Sequence, residues 1–199
     1  MKFHKLISAL LHPIVIPTIG LVCFLALTKE RIPQQVAYFL LSVIFVTTYL
    51  VPLLFLFILK RLKLIRNFQV STISERKIPL FLMLIIFTIL GRNLIAIPTF
   101  KPLGILFHGT NIALIVVYLL FFFKIKTSLH VISMSSLFMF FLMYCTLQGM
   151  NAIPVIIPLL LLTGLLASSR LCLKAHTPKE VYIAFFVGIG SQCIAFAFL

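Results

Sequence analysis

The stretch VAYFLLSVIFVTTYLVPLLFLFIL, residues 36–59, contains no charged side chain and scarcely a polar one. At a helical rise of about 1.5 Å per residue it is long enough to cross the roughly 30 Å hydrocarbon layer of a bilayer. A soluble core of this size has no use for such a run. Further apolar runs follow at about 79–98, 108–123, 131–147, 152–169 and 180–198, and another precedes it at about 9–28. Their repetition along the whole chain excludes a lone signal peptide as the explanation. The fold class predicted is therefore all-α: a polytopic transmembrane helical bundle forming one integral membrane domain over residues 1–199. The run at 9–28 carries His12-Pro13 and Pro17 and reads either as a kinked span or as a re-entrant piece, so the count is six or seven spans.

Composition agrees. Of 199 residues, 62% are hydrophobic, and the mean hydropathy is +1.23. The formal charge of +14 comes from 17 Lys and Arg against three acids, Glu30, Glu75 and Glu180. In a soluble chain that excess would point to nucleic acid. Here the cations sit mostly between apolar runs, which points to membrane topology and anionic headgroups instead, with no nucleic-acid partner expected. With seven spans, one side receives Lys2, Lys5, Lys60, Arg61, Lys63, Arg66, Arg76, Lys77, Lys124, Lys126, Arg170, Lys174 and Lys179, and the other Lys29, Arg31 and Lys101. The bias predicts that the first side is cytoplasmic. Cys23, Cys145, Cys172 and Cys193 have no metal-ligand spacing and read as small buried side chains, and no cofactor is expected.

Three connections on the basic side carry most of the usable chemistry. They are Ser74-Glu75-Arg76-Lys77-Ile78-Pro79, then Lys124-Ile125-Lys126-Thr127-Ser128-Leu129-His130, then Ser169-Arg170 with Lys174 and His176-Thr177-Pro178-Lys179-Glu180. In a bundle they can meet at one membrane face. Arg76, Lys77, Lys126 and Arg170 suit a phosphate, Arg170 through a bidentate fork. Ser128 and the amides opening the next helix add donors. His130 and His176 allow separate acid and nucleophile roles. Glu180, four residues after His176, shares its helical face and can orient its ring.

Each residue also has a plainer reading. Thr177-Pro178-Lys179-Glu180 is a capping box with proline at the first helical position. Ser128 reads equally as a helix cap, and Arg76 and Lys77 as positive flanks of a span. Arg92, in LGRNLIAIP, either lines a cavity or snorkels to the far interface. His4, His12 and His108 show no partner pattern.

The third connection resembles the final motif of the type 2 phosphatidic acid phosphatase (PAP2) superfamily, which is Ser-Arg, five residues, His, three residues, Asp. Ser169-Arg170, His176 and Glu180 reproduce that spacing, Val181 matches the residue after the acid, and Gly188 falls at a position commonly glycine. Thr127-Ser128-Leu129-His130 is similar to the family's central Pro-Ser-Gly-His. The likeness covers about residues 66–190, and the opening His12-Pro13 and Pro17-Thr18-Ile19-Gly20 resembles a Bacteroidetes-type subgroup. Among the departures, Ile78 precedes Pro79 where the family's first motif has Arg, Leu129 replaces Gly, and Glu180 replaces Asp.

The resemblance implies that His176 attacks phosphorus to form a phosphohistidine, that Glu180 orients it, and that His130 protonates the leaving alcohol. Arg170 and Ser128 would hold the phosphate, with Arg76, Lys77, Lys126 and Ser169 contributing. No metal is implied. The substrate would be an anionic lipid phosphate or a polyprenyl (pyro)phosphate, met among membrane lipids. The competing expectations are a non-catalytic lipid-phosphate binder or transporter on the same fold, and an unrelated membrane structural protein. Oligomeric state is left open.

Overall fold

The structure is a computed structural model that describes residues 1–68, 70 and 72–198. Among them, nine α-helices and no strand are found. Helix α1 (Lys2–Leu10) and α2 (Ile16–Leu27) are short, and α3 (Gln34–Phe45) runs through a π turn at Val46–Leu50 into α4 (Val51–Arg61). Then come α5 (Ile73–Ile95), a 3-10 turn at Pro98–Phe100, α6 (Lys101–Phe122), α7 (Leu129–Leu147), α8 (Ile153–Cys172) and α9 (Pro178–Phe198). Six helical stretches are long and apolar enough to cross a membrane: 34–61, 73–95, 98–122, 129–147, 153–172 and 178–198. The chain is an integral membrane protein.

The first apolar run is the one that forms no single membrane-length helix. It breaks at residues 11–15, where His12-Pro13 interrupts the helix, and the remaining α2 has 12 residues, too few to cross alone. α1 packs against α8, and α2 packs against α3 and α7. Lys29, just past α2, donates to the Gln148 carbonyl at the end of α7, so the chain still reaches the opposite side before α3 begins. The charge partition expected from seven crossings therefore survives with six full spans.

α6, α7 and α9 form the centre, flanked by α5 and α8. Their inner faces supply Leu103, Val117, Val131, Met134, Phe140, Phe141 and Ala184, all essentially buried. Close approach depends on small residues. A Cβ on Gly188 of α9 would meet Ser135 Oγ and lie 2.7 Å from the Ile132 carbonyl oxygen, and one on Gly104 of α6 would lie 2.8 Å from the Ile95 amide nitrogen. Without a hydrophobic drive between helices in lipid, such close contact is what associates them. The outward faces carry Phe39, Phe81, Ile89, Leu119, Leu161 and Phe186, exposed to the space lipid would fill.

Helix ends on the basic side stop alike. Lys63, Lys124 and Lys174 adopt positive φ (57°, 58° and 52°) just past α4, α6 and α8. In each the following amide bonds five residues back: Leu64 to Leu59, Ile125 to Leu120 and Ala175 to Arg170. This is the Schellman stop, usually built on glycine. Here lysine accepts the left-handed backbone and places a cation at the negative end of the helix dipole. Gly149 (φ 59°) makes the same stop after α7 on the other side.

Two boundaries matter for the site. α5 begins at Ile73, six residues before the expected run, because Thr72 and Glu75 form a reciprocal capping box there. Arg76 and Lys77 are thus in the first turns of a helix, not in a connection. α8 continues to Cys172, so Arg170 sits in its last turn.

Candidate functional site

Arg76, Lys126 and Arg170 draw together at the basic side, with one acid, Glu180, among them. The other two acids are elsewhere: Glu75 is spent on the α5 cap and on the Arg66 amide at 2.9 Å, and Glu30 is exposed in the α2–α3 connection on the opposite side. The three cations act on one another and on Glu180. Burial, with repulsion from Arg76 and Arg170, pushes the Lys126 ammonium below its ordinary value while Glu180 pulls it back up.

Hydrogen bonds join the pieces. Arg76, buried in α5, donates through Nη1 to the Thr127 carbonyl at 2.9 Å and through Nε to the Val70 carbonyl at 3.0 Å. It therefore fixes the α6–α7 connection, with only its remaining nitrogen, Nη2, uncommitted to these carbonyls. Arg170 donates through Nη1 to Ser8 Oγ at 2.6 Å, which leaves the side-on edge of the guanidinium pointing elsewhere. Its Nε on that edge is buried without a partner. His130 Nε2 faces the Ser8 carbonyl at 3.2 Å, and its ring meets the His12 ring edge-on at 4.9 Å between centroids.

Two hydroxyls at the start of α7 are also orphaned. Thr127 and Ser128 are fully buried, and neither hydroxyl has a partner. Ser128 occupies the N-cap position of α7, yet its side chain does not cap the helix. The plain capping reading of Ser128 is thereby not realised. Buried polar groups in proteins are normally paired, and an unpaired one costs about 1–3 kcal/mol. All three, Thr127 Oγ1, Ser128 Oγ and Arg170 Nε, belong to the segments that carry the basic cluster.

His176 lies in the α8–α9 connection. Its Nδ1 is 2.9 Å from Glu180 Oε2, the same oxygen that accepts the Thr177 amide at 3.2 Å, while the Glu180 amide donates to Thr177 Oγ1 at 3.3 Å. The capping box and the His–Glu pair are thus one structure: capping holds the carboxylate where it can orient the ring. Burial pushes His176 down to about 4; the Glu180 hydrogen bond pulls upward, and Arg76 and Arg170 repel the charged form. At neutral pH the ring is uncharged. Its Nδ1–H donates to Glu180, and the free lone pair is on Nε2.

A cavity of about 190 Å³ starts at this cluster, where His12, Arg76, His130 and Arg170 line it. It continues into the bundle between apolar walls that include Phe55 of α4, Met83 and Phe87 of α5 and Leu106 of α6. Of the four prolines that line it, Pro52 lies just after the π turn and Pro79 inside α5. Neither can donate a helical hydrogen bond, and the π turn widens the helix beside the cavity. Leu129, which stands where the resembled motif has glycine, also lines it.

Arg76, Lys126, Ser128, His130, Arg170, His176 and Glu180 are brought to one region. Lys77 is exposed on another face of α5, with its carbonyl taken by Tyr118 Oη at 2.8 Å. Ser169 is buried, but its hydroxyl pairs with His4 Nδ1 at 3.1 Å. Arg92 is exposed in the last turn of α5 and does not line the cavity, which favours the snorkelling reading.

The residues missed by reading the sequence are His4, Ser8 and His12. The signal was present, for they recur every four residues, and His4 and Ser8 share one face of α1. Among the described residues, no group of three or more His, Cys, Asp or Glu side chains is placed to hold a metal ion. No family model, no curated protein and no solved structure matches this chain.

Proposed function

We propose that the chain is a membrane lipid phosphatase of the PAP2 kind. Its substrate would be an anionic lipid phosphate or a polyprenyl (pyro)phosphate, with the phosphate in the basic cluster and the tail in the apolar part of the cavity. The observation that carries this reading is the set of three buried, unpartnered polar atoms, Thr127 Oγ1, Ser128 Oγ and Arg170 Nε, on the same segments that bring Arg76 and Arg170 into electrostatic reach of the His176–Glu180 pair. A phosphate offers acceptors to all three, and Arg170 meets it with a planar fork.

In this reading His176 Nε2 attacks phosphorus as the bond to the leaving oxygen breaks, giving a phosphohistidine and a free alcohol (or, from a pyrophosphate, a lipid monophosphate). The carboxylate of Glu180 stabilises the positive charge that grows on the ring. His130, protonated once the anionic phosphate offsets the repulsion from Arg170, keeps Nε2–H on the Ser8 carbonyl and gives its Nδ1 proton to the leaving oxygen. Water then attacks phosphorus, His130 takes a proton from it, and the P–N bond breaks to release inorganic phosphate. Arg76 and Lys126 offset the charge of the phosphate without touching every oxygen. The site lies on the side that carries most of the cations, which the positive-inside bias makes the cytoplasmic face; the membrane would be a bacterial inner membrane.

The test is phosphate release from a panel of lipid phosphates by the purified protein in detergent, compared with His176→Ala. Release by the wild type, and its loss in a folded H176A protein, is the expected result. Equal release by both would remove the phosphohistidine mechanism.

A second reading, a lipid-phosphate binder without turnover, is favoured by two observations. In the neutral ring, His130 Nε2–H is already committed to Ser8, and the Leu129 side chain occupies the cavity wall. Tight binding of the lipid phosphate with no release at any pH would select it.

A further inference from the structure

The residues of the proposed phosphate site are not held by their own helices alone. Ser8, buried in α1, accepts from Arg170 Nη1 at 2.6 Å with its hydroxyl, and its carbonyl faces His130 Nε2 at 3.2 Å. His12, just beyond α1, sets its ring edge-on to His130 and lines the cavity with it. One turn earlier, His4 Nδ1 meets Ser169 Oγ. The chain before α2 thereby touches the Ser-Arg pair from α8 and the first-turn histidine of α7.

We propose that Ser8 and His12 are positioning residues of the anion site: Ser8 sets the guanidinium fork of Arg170, and His12 sets the ring plane of His130. The proposal rests on the phosphate reading above and deepens it. A guanidinium presents two hydrogens on its Nε edge. Holding Nη1 from the other edge leaves that pair free for an anion, and Nε on it is buried without a partner. A hydrogen bond to a charged donor is among the stronger neutral-acceptor contacts, so Ser8 is suited to hold a long side chain in one rotamer. For His130, the edge-on ring of His12 restricts rotation about the bond that would turn Nδ1 away from the cavity. The two contacts come from one segment, so the segment orients an anion ligand and a proton donor together.

The experiment uses the full chain in detergent, with inorganic phosphate as the probe in calorimetric titration and a lipid phosphate as the turnover substrate. Ser8→Ala removes only the hydroxyl and leaves the carbonyl that faces His130. It is expected to weaken phosphate binding about tenfold, and Ser8→Thr, which restores a hydroxyl, is expected to recover it. His12→Phe keeps a ring against His130, whereas His12→Ala does not. Turnover should fall in H12A through kcat rather than KM and be largely retained in H12F. If S8A does not fold, the H12A and H12F comparison decides the matter alone. A wild type that binds phosphate beside S8A and H12A proteins that bind and turn over equally well would overturn the positioning roles and leave the phosphate reading standing. A wild type with no heat of phosphate binding and no turnover would overturn both.

Discussion

Glu180 Oε2 lies 2.9 Å from His176 Nδ1 and 3.2 Å from the Thr177 amide, so a single carboxylate oxygen both caps α9 and orients the ring. The same atom serves stability and the proposed chemistry. Substitutions that keep one role while removing the other are therefore informative.

Glu180→Gln separates them. Glutamine still accepts the Thr177 amide in a capping box, so the fold should hold. It cannot offset a positive ring, and phosphate release should fall by about 10²–10⁴-fold, the scale seen when a triad carboxylate becomes an amide. Initial rates alongside thermal unfolding of the same preparation check this; a rate within a few-fold of wild type would show that the charge of Glu180 is not used.

Arg170→Lys keeps the charge and discards the fork. Lysine cannot reach Ser8 Oγ and present a second, parallel donor pair to an oxyanion at once. Phosphate affinity is expected to drop by about tenfold or more, and calorimetric titration of the variant with inorganic phosphate measures it. Arg76 differs, being tied to the Val70 and Thr127 carbonyls; its replacement should show first as lost thermal stability.

His176 links stability to pH. Its folded value is about 4 against an ordinary 6.5, so between these the unfolded chain binds more protons. Stability should be complete above about 6.5 and decline as pH falls toward 4, a slope that His176→Gln removes. Activity should fall over the lower part of the same window, as the nucleophilic lone pair is protonated. Melting midpoints measured across this range for both proteins test the sign, and a wild type that gains stability on acidification would contradict it.

Gly188→Ala tests the central packing. The added carbon would meet Ser135 and the Ile132 carbonyl, neither of which can yield without moving α7 away from α9. A loss of about 1–3 kcal/mol is expected. Gly190→Ala is the control on the same helix, since nothing lies within 4 Å of its added carbon. Equal stability of the two variants would show that this helix pair is not closely packed in the membrane.

Much of the molecule is legible in its chain because the responsible physics is local. A charge-free run such as 36–59 has to be helical in lipid, where every backbone group must be satisfied within the segment. Alternating crossings then place the connections before α5, α7 and α9 on one side by parity alone. The His176–Glu180 spacing and the Thr177 cap are contacts within a single turn, and so are visible as spacing. The boundaries of α5 and α8 were harder, since capping by Thr72 and Glu75 extends a helix through charged residues that hydropathy alone assigns to a connection.

Lateral arrangement is what only the tertiary structure decided. Lipid tails are as apolar as leucine, so hydropathy says that a helix crosses the bilayer and not which neighbour it meets. Arg76 and Lys77 are adjacent in sequence, yet a helix turns about 100° between them, so one is buried on the Thr127 carbonyl and the other is exposed. Ser169 and Arg170 divide in the same way: Ser169 pairs with His4, and Arg170 with Ser8. Those partners lie more than 160 residues away along the chain, and only packing α1 against α8 could join them.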